Sequence, residues 1–524
     1  MAHRVLSRPV EWAAFAVLWL TLLAALGAGT TSCSYTCTDN YTCEIASTGG
    51  GGTGGESPCP EDPRDGQVAP ECGVWVSASF GDDANPGTQA APVKTITAGV
   101  VLAQQDTMRV YVCGETFNEA VFLVSGISLF GGFDCQNDWR YIGTEKRALI
   151  QPGTPGAVPL TLLEGDRMSS IRDVNVTAPD AVDPGGSSIG MFALAGSRVD
   201  IRRAQITAGN GADGADGEDG NHGAAPAKPG LNGNKGADAC SMAVGLGGAA
   251  VQLVCEDGST SHGGQGGNGG EGAANDGGDG MPAPNMNNVG YGAGGKGESL
   301  APNSACIGGV NGAQGGNGLE GTGAVLPGKL TKSGFVGAPG LDGGQGFPGQ
   351  GGGGGGASIG KPACGGVNGG AGGGSGGTGG CGGRGGKGGQ GGGASIGVVS
   401  MSTEVYIYET RITTGDGGDG GNGGTAQAGG QGGLPGIGGA GLSAPDPVKK
   451  GCTGGAGGYG GDGGNGGGGR GGHSVFYAYT PGCQPNGAYP DYVVGIPGQG
   501  GFGGNQASVF GKGEKGASIV LEVP

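Results

Sequence analysis

Glycine returns at every third position in run after run of this chain. It stands at Gly211, Gly214, Gly217 and Gly220, at Gly309, Gly312, Gly315, Gly318 and Gly321, and at the same step from Gly334 to Gly349. A left-handed extended helix turns once in three residues, so each such run would carry one face made only of glycine. Three states satisfy that pattern. A collagen triple helix needs three parallel chains and long unbroken triplets, whereas these tracts hold little proline and break after a handful of triplets. Flexible disorder is the second, because glycine loses more conformational entropy on ordering than any other residue. The third is a bundle of extended glycine helices packed through their glycine faces. The breaks APAKPG, NDGGDGMPAPNMNN, LPGKLTKSG and APDPVKKGC favour it, since they fall at intervals a reversing chain would need. With 138 glycines in 524 residues and only 5% aromatic, the tracts cannot share one long apolar core. They are either disordered or held by backbone hydrogen bonds.

A second feature is a repeat. Residues 188–211, SIGMFALAGSRVDIRRAQITAGNG, return as 395–417, SIGVVSMSTEVYIYETRITTGDG. Ser188, Ile189 and Gly190 match Ser395, Ile396 and Gly397; after a one-residue deletion Val199, Ile201, Ile206 and Thr207 match Val405, Ile407, Ile412 and Thr413. Both copies run straight into glycine, and the closing ASIVLEV from Ala517 repeats their Ser-Ile opening. The unit is two or three short strands that hand over to a glycine excursion.

Short strands rich in valine and isoleucine fill 72–208, with no helices between them to build a doubly wound sheet. A β-sandwich and a right-handed parallel β-helix remain. The β-helix is preferred because DVNVTA and RRAQITAG look like successive versions of one rung, without hairpin turns between them. Residues 93–103, VKTITAGVVLA, have helix-like apolar spacing and suit a short helix across one end. The stretch GDDANPGTQAAPVKTITAGVVLA, with VYVCGETFNEAV and VSGISLFGGFD after it, resembles the opening of bacterial pectin-lyase-like β-helix surface proteins and lipoproteins of uncharacterised function. The resemblance covers 74–208 and returns at 395–414. It implies a fold and an extracellular setting and no activity. The GGX tracts also resemble the glycine-packed tips of some fibrous adhesins, certain glycine-rich antifreeze proteins and the glycine repeats of mycobacterial surface proteins.

The expected organisation is a signal peptide over 1–32, a flexible Ser/Thr/Gly-rich tether over 33–71, and the β-helix start with its capping helix over 72–208. Glycine-rich excursions with short strand returns follow over 209–393, then the second copy of the rung over 394–414, further excursions over 415–516, and a last strand over 517–524. Patches such as 240–255, 473–483 and 506–511 read as returns to the strand-forming body. Arg4 and Arg8 ahead of an apolar run of about 14 residues read as an export signal, because that run is shorter than the ~20 needed to span a bilayer. Cys33, after small residues, is a candidate lipidation site, although Thr30 stands where such signals carry an aliphatic residue; plain secretion and an uncleaved anchor are the other readings.

Fourteen cysteines in an exported chain favour disulfides. Neighbours suggest Cys37 with Cys43, Cys59 with Cys72, Cys113 with Cys135, Cys240 with Cys255, and Cys452 with Cys483; Cys364, Cys381 and Cys452 fall at or inside glycine tracts, where a disulfide would pin neighbouring strands, and Cys306 is a further disulfide candidate. The formal charge of −17 argues against nucleic acid and anionic membrane surfaces, leaving a lipid on Cys33 as the route to a membrane.

Catalysis on a β-helix would need two or three carboxylates facing one groove. Asp173, Asp200, Arg202, Arg203 and Glu409 are the candidates on strand-like sequence, with Asn175 two residues from Asp173. The second copy, however, has Tyr406 and Tyr408 in place of Asp200 and Arg202. Calcium is the one cofactor the composition suggests, weakly, through Asp213, Asp216, Asp219, Asp416 and Asp419 in glycine turns. Phe335, Phe347, Tyr459 and Phe502 interrupt glycine faces singly, either to contact a ligand surface or to pack between segments. The expectation is a noncatalytic exported scaffold or adhesin displaying glycine-rich arms to a cell-envelope polymer, a glycan or another surface protein; no catalytic residue is assigned. A polysaccharide lyase or glycoside hydrolase is the alternative.

Overall fold

The structure, a computed structural model, describes residues 59–220, 225–283, 290–362, 366–443, 447–482, 490–506 and 509–523. It has two parts: a solenoid of parallel strands and a bundle of extended glycine segments.

The solenoid climbs in turns of three strands. After β1 (Val74–Val76), the first turn is β2 (Arg109–Cys113), β3 (Thr116–Phe117) and β4 (Val121–Leu123). The second is β5 (Ser128–Asp134), with β6 (Arg140–Tyr141) folded back on it, then β7 (Ala148–Ile150) and β8 (Leu160–Leu162). The third is β9 (Met168–Arg172), β10 (Val174–Thr177) and β11 (Ser188–Ala193). The fourth begins with β12 (Arg198–Arg202) and β13 (Gln205–Ala208). Then come three hairpins outside the solenoid: β14 (Val251–Val254) with β15 (Thr260–Gly263), β16 (Gly269–Gly270) with β17 (Ala273–Ala274), and β18 (Lys329–Thr331) with β19 (Gly334–Val336). The fourth turn closes with β20 (Ser395–Ser400), the fifth is β21 (Glu404–Tyr408), β22 (Arg411–Thr414) and β23 (Ser474–Tyr479), and β24 (Asp491–Val493) and β25 (Ser518–Glu522) end the climb.

Each strand pairs in parallel with its counterpart one turn away, giving three sheets in the orders β1-β2-β5-β9-β12-β21, β3-β7-β10-β13-β22-β24 and β4-β8-β11-β20-β23-β25. That pairing between turns excludes the sandwich. Like residues therefore stack. Val74, Val110, Leu129, Ile171, Ile201 and Ile407 form one buried ladder, and Phe117, Ile150, Val176, Ile206 and Ile412 form another. Each such side chain contributes about 1.5–3 kcal/mol on burial. The two copies of the repeat are consecutive rungs, paired Ser188 with Ser395, Val199 with Val405 and Ile206 with Ile412. Ser474 and Ser518 continue the serine column. Helix α1 (Ile96–Ala103), capped by Thr95 Oγ1 accepting from the Ala98 N–H, closes the first end with Ile96, Val100 and Ala103 buried.

Glycine segments leave the solenoid always at the end of the second sheet and return always at the start of the third: after β13 and back into β20, after β22 and back into β23, after β24 and back into β25. They are ordered, and they are not separate arms. Segment 372–393 lies in the middle. Its N–H groups at Gly374, Gly377, Gly380, Gly383, Gly386, Gly389 and Gly392 donate to carbonyls of the parallel segment 451–472, while those of Gly372, Ser375, Thr378, Cys381, Lys387, Gln390 and Gly393 donate to the antiparallel segment 209–237. Its carbonyls accept from Gly418 to Gly439 on one side and from Gly340 to Gly355 on another. The bonds measure 2.8–3.0 Å and recur every third residue, all within one chain. Glycine is required for that approach: a Cβ on Gly380 would stand 2.0 Å from the Gly430 carbonyl oxygen.

Several expectations need correction. The patch 240–255 does not rejoin the solenoid, since β14 pairs only with β15 inside the bundle; residues 509–511 form a short 3-10 turn. Residues 59–71 are not a loose tether. The Cys59–Cys72 disulfide, buried Val68 and the buried Asp62 strap this segment onto the outer face of the first sheet, over Trp75, Tyr111 and Phe130. Residues 1–58, with Cys33, Cys37 and Cys43, lie outside the described residues, as do Cys364 and Cys483.

Candidate functional site

The charged residues singled out on the strands converge, but on one another. Asp173, Arg203 and Glu409 occupy the same corner of three successive turns, between the first and second sheets, each with a left-handed backbone at φ 54°, 53° and 46°. Such a conformation strains a residue other than glycine by about 1–3 kcal/mol. At two of the corners buried charge pairing offsets it. Arg203 donates from Nε to Asp173 at 3.0 Å and, with both terminal nitrogens, to the two carboxylate oxygens of Asp62 at 2.9 Å. Tyr141 Oη donates to Asp173 at 2.7 Å. Next to them Arg172 and Arg202 both hold Asp200, at 3.1 and 3.0 Å, and Arg172 Nε stands 3.6 Å from Asp62.

Burial alone would push the Asp62 carboxyl up, but hydrogen bonds from Arg203 and the Arg64 N–H, with the field of both arginines, hold it below the ordinary range. Burial would lower Arg203, and the two aspartates outweigh it and raise it. Burial and the neighbouring Asp173 raise the Tyr141 hydroxyl. Three carboxylates and three guanidiniums thus balance in a nearly dry cluster that fixes the 59–72 strap. This differs from a catalytic groove, in which a carboxylate must reach substrate. Asn175 does not share a face with Asp173; it accepts from the Gln205 N–H at 3.0 Å. Glu409 meets Arg64 at 3.7 Å on the surface. In the second copy Tyr408 carries the Arg202 guanidinium over its ring at 4.7 Å.

The aspartates considered for calcium have a different task. Asp213, Asp216 and Asp219 accept the backbone N–H groups of Asp419, Asn422 and Thr425, at 2.6–2.7 Å. Asp416 and Asp419 in turn accept from Ile496 and Gln499, each at 2.7 Å. Three outgoing segments, beginning at 209, 415 and 495, are therefore stitched twice per triplet: a glycine N–H donates one way and a carboxylate accepts the other. Asn311 and Asn317 do the same for segment 451–472.

Cys113, Glu115 and Cys135 place three ligand atoms within 4.8 Å of one another, but both sulfurs belong to the Cys113–Cys135 disulfide and offer no thiolate. That pair and Cys59–Cys72 are the neighbour pairings expected, whereas the pairings inside the bundle differ from those expected. Cys255 joins Cys381 and Cys306 joins Cys452, at sequence separations of 126 and 146, so each ties a peripheral segment to an inner one; Cys240 is disulfide-bonded as well. The reason is the bundle itself, which brings distant segments closer than chain neighbours. A cavity of about 520 Å³ lies beside Cys255–Cys381, lined by Lys228, Glu256, Asp257, Gln345 and Arg384, with Arg384 paired to Glu256.

Two groups of residues carry more than sequence reasoning assigned them. The serine opening each repeat clamps the base of an excursion: Ser395 Oγ, at the return, donates to Gly209 O, at the departure, at 2.6 Å, and Ser474 Oγ does so to Gly415 O at 2.8 Å. His473 is buried, accepting the Ala517 N–H at Nδ1 and meeting Pro327 O at Nε2, both at 2.7 Å, with the Phe335 ring against it. Burial brings its pKa down to about 4. Phe335 packs under β18–β19 against the third sheet, whereas Phe347, Tyr459 and Phe502 are exposed. No family model, curated protein or solved structure matches this chain.

Proposed function

We propose that the chain is a noncatalytic exported surface protein: a right-handed β-helix of the pectin-lyase-like kind that holds out one rigid bundle of left-handed, three-residue glycine helices as a scaffold or adhesive face. The observation that carries this reading is the reciprocal stitching of the bundle. Carboxylates and amides that could serve chemistry at its surface are engaged in holding neighbouring backbones, as the Asp213 to Asp419 bond illustrates. What is left facing outward is a set of parallel side-chain columns on a stiff support, which suits contact with an extended polymer or another surface.

Export follows from the apolar leader, with either a lipid on Cys33 or cleavage before the folded part. Both outcomes can be read from the mass of the processed amino terminus. The function is tested by offering the full chain to envelope polymers and to acidic and neutral glycans, with and without calcium. Retention on a polymer without product release is the expected result; glycan cleavage would establish the enzymatic alternative instead.

A further inference from the structure

Asparagine followed by glycine is the dipeptide most open to deamidation, because the nitrogen of a residue without a side chain can reach the asparagine Cγ. An N–Cγ bond forms, ammonia leaves, and water opens the resulting succinimide to aspartate or isoaspartate. Eight such pairs lie among the described residues, beginning at Asn210, Asn232, Asn268, Asn311, Asn317, Asn368, Asn422 and Asn465. In seven of them a neighbouring segment holds both reacting groups. The asparagine Oδ1 accepts a backbone N–H and the glycine N–H donates to a backbone carbonyl, all at 2.7–3.0 Å. Where the neighbour runs parallel, both bonds go to one residue: Asp416 for Asn210, Leu434 for Asn232, Ala456 for Asn311, Asp462 for Asn317 and Phe502 for Asn422. Where it runs antiparallel they go two residues apart, to Gly247 and Gly245 for Asn268 and to Ala426 and Gly424 for Asn465.

Such a clamp turns the amide oxygen towards the next segment and leaves the glycine nitrogen without a free N–H. Closing the succinimide ring requires both bonds to open at once, a local excursion that a well-bonded segment makes seldom. Asn368 is the exception. Its Oδ1 is buried and meets no donor among the described residues, its Nδ2 donates to Glu271 at 3.1 Å, and the Gly369 N–H reaches the Met242 carbonyl only at 3.2 Å. The chain arrives there from an open turn at Gly366, where φ is 100° and a Cβ would meet nothing within 4 Å. We propose that Asn368 is the deamidation site of the folded protein, and that the clamp keeps the other seven pairs intact. The product matters at that position. Aspartate sets a second carboxylate against Glu271, and isoaspartate adds a methylene to the main chain just before the middle segment 372–393, whose contacts depend on a step of three. At the clamped positions aspartate would keep the acceptor, since Asp213, Asp216 and Asp419 already make the same pair of bonds.

The test is peptide mapping by mass spectrometry after the full chain has stood in heavy-oxygen water at mildly alkaline pH, which labels each residue that has passed through a succinimide. In the folded protein Asn368 should take up label first among the eight. The seven clamped asparagines should label at least about tenfold more slowly than the same residues in chain unfolded by guanidinium and a thiol reductant. Asn368→Gln should remove the first signal and leave the other seven as slow as before, with unchanged circular dichroism showing the fold intact. Label at the clamped pairs as fast as at Asn368, or an Asn368 as slow as they are, would overturn the proposal.

Discussion

The solenoid and the bundle solve one problem in opposite ways. Both must bury backbone, and each buried N–H and C=O must find a partner. In the solenoid, parallel ladders satisfy the backbone while stacked side chains such as Ile171, Ile201 and Ile407 fill the interior. In the bundle the interior is mostly backbone, with a few small side chains such as Ser375, Thr378 and Cys381 among the glycines, and the absence of a side chain at the glycines brings the partners within reach. One region is therefore vulnerable to losing atoms, and the other to gaining them.

The sharpest way to break that contrast is to write valine in both. Gly380→Val forces atoms into a carbonyl and should cost about 5 kcal/mol or more, dismantling the middle of the bundle, whereas Ile201→Val should cost about 1 kcal/mol. Denaturant titration of both variants compares them, and equal losses would falsify the distinction. Next in size is Arg203→Ala. It leaves Asp173 and Asp62 without their shared partner and should cost about 3–5 kcal/mol, with limited proteolysis opening at 59–72 before elsewhere.

The junction between the regions titrates. His473 has a pKa of about 4 when folded, against 6.5 for the ordinary side chain. Between these values the unfolded chain binds the extra proton, so stability rises with pH across that window and falls as pH drops from 6.5 towards 4. The shift corresponds to about 3 kcal/mol. His473→Gln should flatten this part of the pH profile; an unaltered slope would remove the histidine from the account. Smaller again is Ser395→Ala, which deletes the clamp from return to departure and should cost about 1 kcal/mol, visible as faster amide exchange at 209–211. The smallest effect expected is that of a calcium chelator: with Asp213 and Asp416 already accepting N–H groups, the unfolding midpoint should not move, and a drop of several degrees would restore the calcium reading.

The rungs were legible because a parallel solenoid stacks like on like, so the repeat at 188 and 395 reads as two levels of one column. The packing of glycine on glycine was legible as one of three options, through its period. What could not be read was which segment touches which. A column of glycines matches any other, so the contacts of 372–393 with four partners, and the disulfides Cys255–Cys381 and Cys306–Cys452, leave no mark in local sequence. The charged cluster was half visible. Asp173 and Arg203 stood out, but their left-handed corner and the pairing with Asp62, some 110 residues or more before them in the chain, depend on the strap, which reads as linker. Segregation of the excursions into arms was the natural expectation from sequence, and it fails because each segment needs neighbours from another excursion.

That interlocking sets the order in which the protein can be completed. The solenoid can add turns as its strands arrive, but segment 372–393 leans on 451–472, which in turn accepts from Gly498, Gly501 and Gly504. A chain that has emerged only as far as residue 440 holds its first excursion half bonded, however well its early rungs have formed. Closure at such sequence distance is slow, and a waiting glycine tract is open to proteases and to wrong neighbours. The bundle is finished from its last segment backwards, so a stop shortly before residue 516 would leave unsettled a region whose synthesis began three hundred residues earlier.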